Sequence, residues 1–252
     1  FRRVLFRSKT SNGKMRTKAL FTVAAALAVG VVAAQAQVYS VNIVGYVNVT
    51  LEEGNNLISN PLINGGDTLG EVFPPGSVPD GTKVTKWDFA SQGFAQADTY
   101  FDAGVDSGWF DTGFNPRTTT VDPGEGFFLN VPAGAGSTVV TLVGDVVPSG
   151  DVPNTIAGPG IGMYGNAIPA ASAFSANNFP SGVAANEMKY QTFEAAANSY
   201  SQAFTYFEAG VDSGWFDTSF NPADPTPAVG QGFLINNPNA DAEWTQNFDP
   251  NN

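Results

Sequence analysis

From Val41 the chain reads VNIVGYVNVTL, apolar and β-branched at nearly every second position, and stops at Glu52-Glu53-Gly54. That pattern predicts a strand closed by a turn. NNLISNPL from Asn55 predicts a second strand. In DTLGEVFP from Asp67, the residues Leu69, Val72 and Phe73 fall at i, i+3 and i+4. This is the period of one or two helical turns, with Asp67 as N-cap and Pro74-Pro75 as the stop. TKVTKWDF and GFAQADTYF are expected to form a hairpin around ASQG. GFFLNV and STVVTLVGDVV are expected to form another, around Pro132-Ala133-Gly134. Phe127, Leu129 and Val131 share one face of their strand.

The whole pattern occurs twice. AGVDSGWFDTGFNP at Ala103 returns as AGVDSGWFDTSFNP at Ala209, an offset of 106 with Gly113 changed to Ser219. Without a gap, Asn56–Gly144 lies over Gly162–Pro250. Lys83 meets Lys189, Trp87 meets Phe193, and GEGFFLNVP at Gly124 meets GQGFLINNP at Gly230. A register of that length means duplication. The fold expected is all-β, with two homologous β-sandwich-like units in tandem, each with one short helix, after an N-terminal signal peptide. The first unit spans 37–147 and the second 148–252, divided in the Pro- and Gly-rich DVVPSGDVPNTIAGPG. Because IVGYV near Val44 and LVGDVV near Val143 look alike, the second unit is expected to take its first strand from the end of the first.

Charge divides the chain differently. Seven of the 11 basic residues precede Gln37, and all 23 acidic residues follow it, which gives the rest a formal net charge of −19. From Met15, a short basic region (Arg16, Lys18), an apolar run from Ala19 to Ala33 and Ala34-Gln35-Ala36 have the form of a Sec-type signal. The product is expected to be secreted to the periplasm, cell surface or extracellular space, and not to span the membrane. Residues 1–14 would precede an ordinary start and are read as a sequencing artefact or translated upstream sequence. The acidic body repels nucleic acid.

The chain has no His and no Cys. That removes imidazole relays, thiol nucleophiles, disulfides and most zinc sites. The Gly-Glu-Gly of GEGFF enters a strand, so it is read as a tight turn and not a phosphate cradle. The repeated string holds the candidate loops: Asp102, Asp106, Trp109 and Asp111, then Glu208, Asp212, Trp215 and Asp217. Such carboxylates suit calcium, though their spacing is not that of an EF-hand. The other reading is that they form turns, with each Trp plugging one end of its own sandwich. No other cofactor is implied.

In order, NLISNPL, an FP turn, KW, an aromatic loop and PGEGFFL before TVVTLVG resemble a β-repeat of secreted bacterial proteins. With VYSVNIVGYVNVTL at the start and EWTQNFDP at the end, the chain resembles uncharacterised two-repeat secreted proteins of Verrucomicrobia-like environmental bacteria. The resemblance implies the β-repeat fold and no particular activity. The expected role is non-enzymatic: a structural, surface-layer or adhesion-type protein whose partner is a cell-surface or extracellular polymer. The alternative is a carbohydrate-binding module that uses the repeated Trp and acidic loops. N-terminal sequencing of the exported product is expected to begin at or within a few residues of Gln37; a product that retains Met15 contradicts the signal.

Overall fold

The computed structural model describes residues 43–180, 186–208, 210 and 213–249. The segments read as artefact and signal lie outside them. The first repeat runs β1 (Val44–Leu51), β2 (Gly54–Ser59), α1 (Leu69–Val72), β3 (Lys83–Asp88), β4 (Gly93–Phe94), β5 (Asp98–Phe101), β6 (Gly108–Phe110), β7 (Gly126–Val131) and β8 (Thr138–Asp145). Its main sheet is antiparallel with strand order β2-β7-β3-β5-β6, and β4 pairs with β3. A ribbon of β1 and β8 covers one face of that sheet. Val47 and Leu51 from β1, with Val140 and Leu142 from β8, bury into one core with Phe127, Leu129 and Val131 of β7. Fully burying such side chains stabilises by about 1.5–3 kcal/mol each, so the ribbon is held by its apolar face. α1 adds buried Leu69 and Val72 to the same core. Its N-cap is Thr68 and not Asp67, because the Glu71 carboxylate accepts the Thr68 backbone N–H at 3.0 Å and hydroxyl at 2.7 Å. Asp67 instead accepts the Asn64 N–H across the preceding turn.

The second repeat runs β9 (Gly150–Ile156), β10 (Gly160–Gly165), β11 (Lys189–Glu194), β12 (Ser199–Tyr200), β13 (Phe204–Phe207), β14 (Gly214–Phe216), β15 (Pro222–Ala223), β16 (Gly232–Asn237) and β17 (Ala242–Phe248). From β2 to β7 every strand recurs at an offset of 106, and a 3-10 turn at Ser175–Asn177 replaces α1. The fold is therefore all-β, with two homologous sandwich-like units.

Three expectations need correction. β7 and β8 do not form a hairpin, since β7 pairs with β2 and β3 while β8 crosses to β1. The second repeat does not borrow β8. All eight residues of β8 are matched to β1, and the second repeat supplies its own first strand, β9, which pairs with β17. The likeness of IVGYV and LVGDVV has a local cause. Gly45 and Gly144 face each other across the ribbon, and a Cβ on either would lie 2.6 Å from Leu62 or from the Ile63 carbonyl. Finally, the register is not gapless to its end. Three residues join β9 to β10 where two join β1 to β2, and four join β16 to β17 where six join β7 to β8. Buried Leu51 thus corresponds to Ile156, and buried Leu142 to Gln246. Gln246 is tolerated inside because its amide is satisfied, accepting from Ala167 N–H and donating to Asn166, each at 2.8 Å.

The repeats pack through equivalent surfaces. A cluster between them contains Leu57 and Met163, Phe128 and Leu234, and Trp87 and Phe193, which are three pairs of matching positions. The backbone contacts are reciprocal as well. Ser59 N–H donates to Gly230 O and Gly165 N–H donates to Gly124 O, both at 3.0 Å. Ile58 bridges Gln231 as Tyr164 bridges Glu125. This is the geometry of a twofold interface within one chain. It also covers the ends of edge strands β2 and β10.

The Gly-x-Gly turns make this approach possible. Gly124 and Gly230 take φ values of +87° and +77°. A Cβ on Gly126 would sit 2.6 Å from the Tyr164 carbonyl oxygen, and one on Gly232 would sit 2.7 Å from that of Ile58. Buried Asn60 and Asn166 hold the segments leading into these turns by donating to Val121 O and Pro227 O. Gly126→Ala and Gly232→Ala are each expected to destabilise by about 1–3 kcal/mol, the cost of overpacking. Gly70→Ala, in α1 with open space around its Cα, is expected to be neutral or to stabilise by up to about 1 kcal/mol. Thermal melts of the three variants check this.

Candidate functional site

From Gly108 and Gly214 onward, the repeated string folds alike in both copies. Asp111 folds it: its Oδ1 accepts from Gly113 N–H at 2.8 Å and Asn115 N–H at 2.9 Å, and the Asn115 amide adds two contacts at 3.1 Å. Asp217 does the same with Ser219 N–H at 2.8 Å and Asn221 N–H at 2.9 Å. These are Asx turns, and the Gly113/Ser219 difference is harmless because only the backbone N–H is used. Asp102 accepts the Ser107 hydroxyl at 2.9 Å, and its own N–H donates to Asp80. The Glu208 N–H donates likewise to Asn186. Asp106 ends an exposed 3-10 turn at Gly104–Asp106. Asp212 lies outside the described residues. Among the described residues no three His, Cys, Asp or Glu side chains converge as a metal would require.

Trp109 and Trp215 are core residues, each 4 % exposed. Their indole N–H groups donate to Phe73 O at 3.4 Å and Phe179 O at 3.3 Å. Trp109 packs within its core, which fits the plug, while Trp215, equally buried, edges a cleft of about 550 Å³ with Phe179, Tyr206 and Asp224. Beside Trp109, Phe110 is half-buried and Val105 is fully exposed. The exposed aromatic of the string is a residue that sequence reasoning passed over. Phe114 and Phe220 are 70 % and 71 % exposed, and each takes φ +60°. A bulky side chain rarely adopts that backbone region. Each ring stacks on a strand aromatic, Phe101 at 5.2 Å and Phe207 at 5.7 Å between centroids.

Two related clefts flank the seam. The first, of about 370 Å³, lies among Lys86, Trp87, Phe89, Asp122, Glu125 and Tyr164. The second, of about 270 Å³, includes Ile58, Phe193, Ala195, Ala228, Val229 and Gln231. In the first, Lys86 Nζ bonds Glu125 at 2.7 Å and Thr120 O at 2.8 Å, and Trp87 Nε1 donates to Ile161 O at 2.6 Å. Between the clefts, Phe94 and Tyr200 are half in solvent and continue the ring contacts of Trp87, Phe128 and Phe193.

No protein family, curated protein or solved structure matches the chain. Among the described residues no helix is long and apolar enough to cross a membrane.

The loop aspartates give a pH test. Asp111 is held below the ordinary carboxylate value, first by the Asn115 backbone N–H, and Asp217 first by the Asn221 side chain. Folding lowers both values. Their contribution is therefore complete above the unfolded pKa of about 3.9 and is lost as pH falls through the lower folded values. The Asp111→Asn/Asp217→Asn double variant is expected to lose less melting temperature than wild type between about pH 4 and about pH 2. Melts across that range check it.

Proposed function

We propose that the protein is a secreted, non-enzymatic adhesion-type component that holds a cell-surface or extracellular polymer through its repeated loops. The observation that supports this reading is the matched pair Phe114 and Phe220. Each is a solvent-exposed ring on a strained backbone, fixed by an Asx turn and stacked on a strand aromatic. Such strain persists only where the surroundings impose it. Two identical tips on one chain suit a repeating polymer, because the second contact forms at high effective concentration once the first has formed. In this reading Asp102, Asp111 and Asp217 act as turn formers, and no cofactor enters it.

The test is retention of the mature chain on envelope and polysaccharide fractions of its host. Phe114→Ala and Phe220→Ala are each expected to weaken retention, and the double variant to weaken it by about 10²-fold or more, as avidity requires. Unchanged retention of the double variant overturns the reading. Calcium is tested on the same material. A rise in melting temperature with millimolar calcium, beyond that of matched ionic strength, makes the acid strings ion sites and not merely turns.

A further inference from the structure

The two seam clefts are twins by origin, and only one carries charge. Their shared scaffold is kept on both sides: the Gly-x-Gly turns, the reciprocal backbone bonds and the aromatic floor of Trp87 or Phe193. The walls differ. Lys86, Phe89, Asp122 and Glu125 correspond to Thr192, Ala195, Ala228 and Gln231. A role confined to holding the repeats together would ask the same of both clefts. The added groups of the first cleft therefore call for another reason.

From this we infer that the first cleft is a binding site for a neutral oligosaccharide, distinct from the loop tips. Its volume of about 370 Å³ lies within the ~300–1,000 Å³ of small-ligand sites. Trp87 and Phe89 are both half-buried at the cleft, and Phe89 makes no close ring contact among the described residues. They offer aromatic faces to the C–H faces of a sugar ring. Hydroxyls need both acceptors and donors, and the cleft has both. Asp122 is exposed and its carboxylate has no partner among the described residues. Glu125 accepts, and Lys86 and the Asn154 amide donate. Lys86 and Glu125 neutralise one another, which leaves Asp122 as the surplus charge and disfavours an anionic ligand. The second cleft keeps an aromatic side chain but lacks the charged groups and the second ring, so binding is expected at one site per chain.

The probe is a panel of neutral, anionic and amino-substituted oligosaccharides, titrated into the mature chain and followed by tryptophan fluorescence. Trp87 is the reporter, since Trp109, Trp215 and Trp244 are at most 4 % exposed. At least one neutral oligosaccharide is expected to give a saturable change with one site per chain. Phe89→Ala is expected to weaken it by about tenfold, the loss of one stacked ring. Asp122→Asn is expected to weaken it several-fold, with neither variant shifting the melting temperature as a core change would. Both positions lie at the surface, and either variant alone suffices if the other folds poorly. The inference is overturned if no neutral sugar on the panel binds, or if only charged sugars bind. It is also overturned if Phe89→Ala and Asp122→Asn leave affinity intact while Phe114→Ala/Phe220→Ala abolishes it. In that last case the sugar belongs to the loops and the adhesion reading stands. Sugar binding without polymer retention has the opposite meaning: the cleft is right and the adhesion reading fails.

Discussion

The structure depends on how closely two backbones approach at the seam. Gly126 and Gly232 each leave no room for a Cβ, because the other repeat's edge strand passes within about 2.7 Å of where it would stand. From that approach follow the paired N–H···O bonds, the covered strand edges and the sealing of Leu57, Phe128 and Met163. The magnitudes divide the work. A backbone hydrogen bond contributes about 1 kcal/mol net, whereas each fully buried large apolar side chain contributes about 1.5–3. The apolar cluster supplies most of the association, and the glycines and their bonds set its register. The two repeats fall within one compact unit, which holds three apolar clusters among the described residues.

Much of this was legible in the sequence, and the failures have physical reasons. The strands of each main sheet were readable because alternation and turn residues were written twice, so each copy checked the other. Strand partners were readable across the tight ASQG turn, where β3 pairs with β4 and β5 as expected, but not across longer connections. GFFLNV and STVVTLVGDVV are close in sequence and look like a hairpin, but β8 finds its apolar complement in β1. The likeness of IVGYV to LVGDVV comes from a shared local demand, a chain crossing above Gly45 and Gly144. The ribbon's shift of register was hidden because Gln246 occupies a core position that only a long-range amide network makes acceptable.

The candidate residues were partly legible. Asp111 and Asp217 make the turns expected of Asx-type chemistry, and the Trp pair is buried in the two cores. Phe114 and Phe220 lie in the repeated string, yet nothing in the sequence says that a Phe takes positive φ and points outward. The clefts had a signal that alignment of the two copies could have supplied. Lys86, Asp122 and Glu125 are charges whose counterparts are neutral, and such differences stand out only when the duplication is read for what it changes.

The reciprocity of the seam has a consequence for how the two halves can vary. In a homodimer of single repeats, any substitution appears in both clefts at once, so a side chain harmful to one is imposed on the other. Joining the halves covalently removes that coupling while the packing still demands matching glycines and a matching apolar surface. The chain is thus free to specialise one cleft without changing its twin, while symmetry is kept in the glycines, the backbone bonds and the apolar surface of the seam.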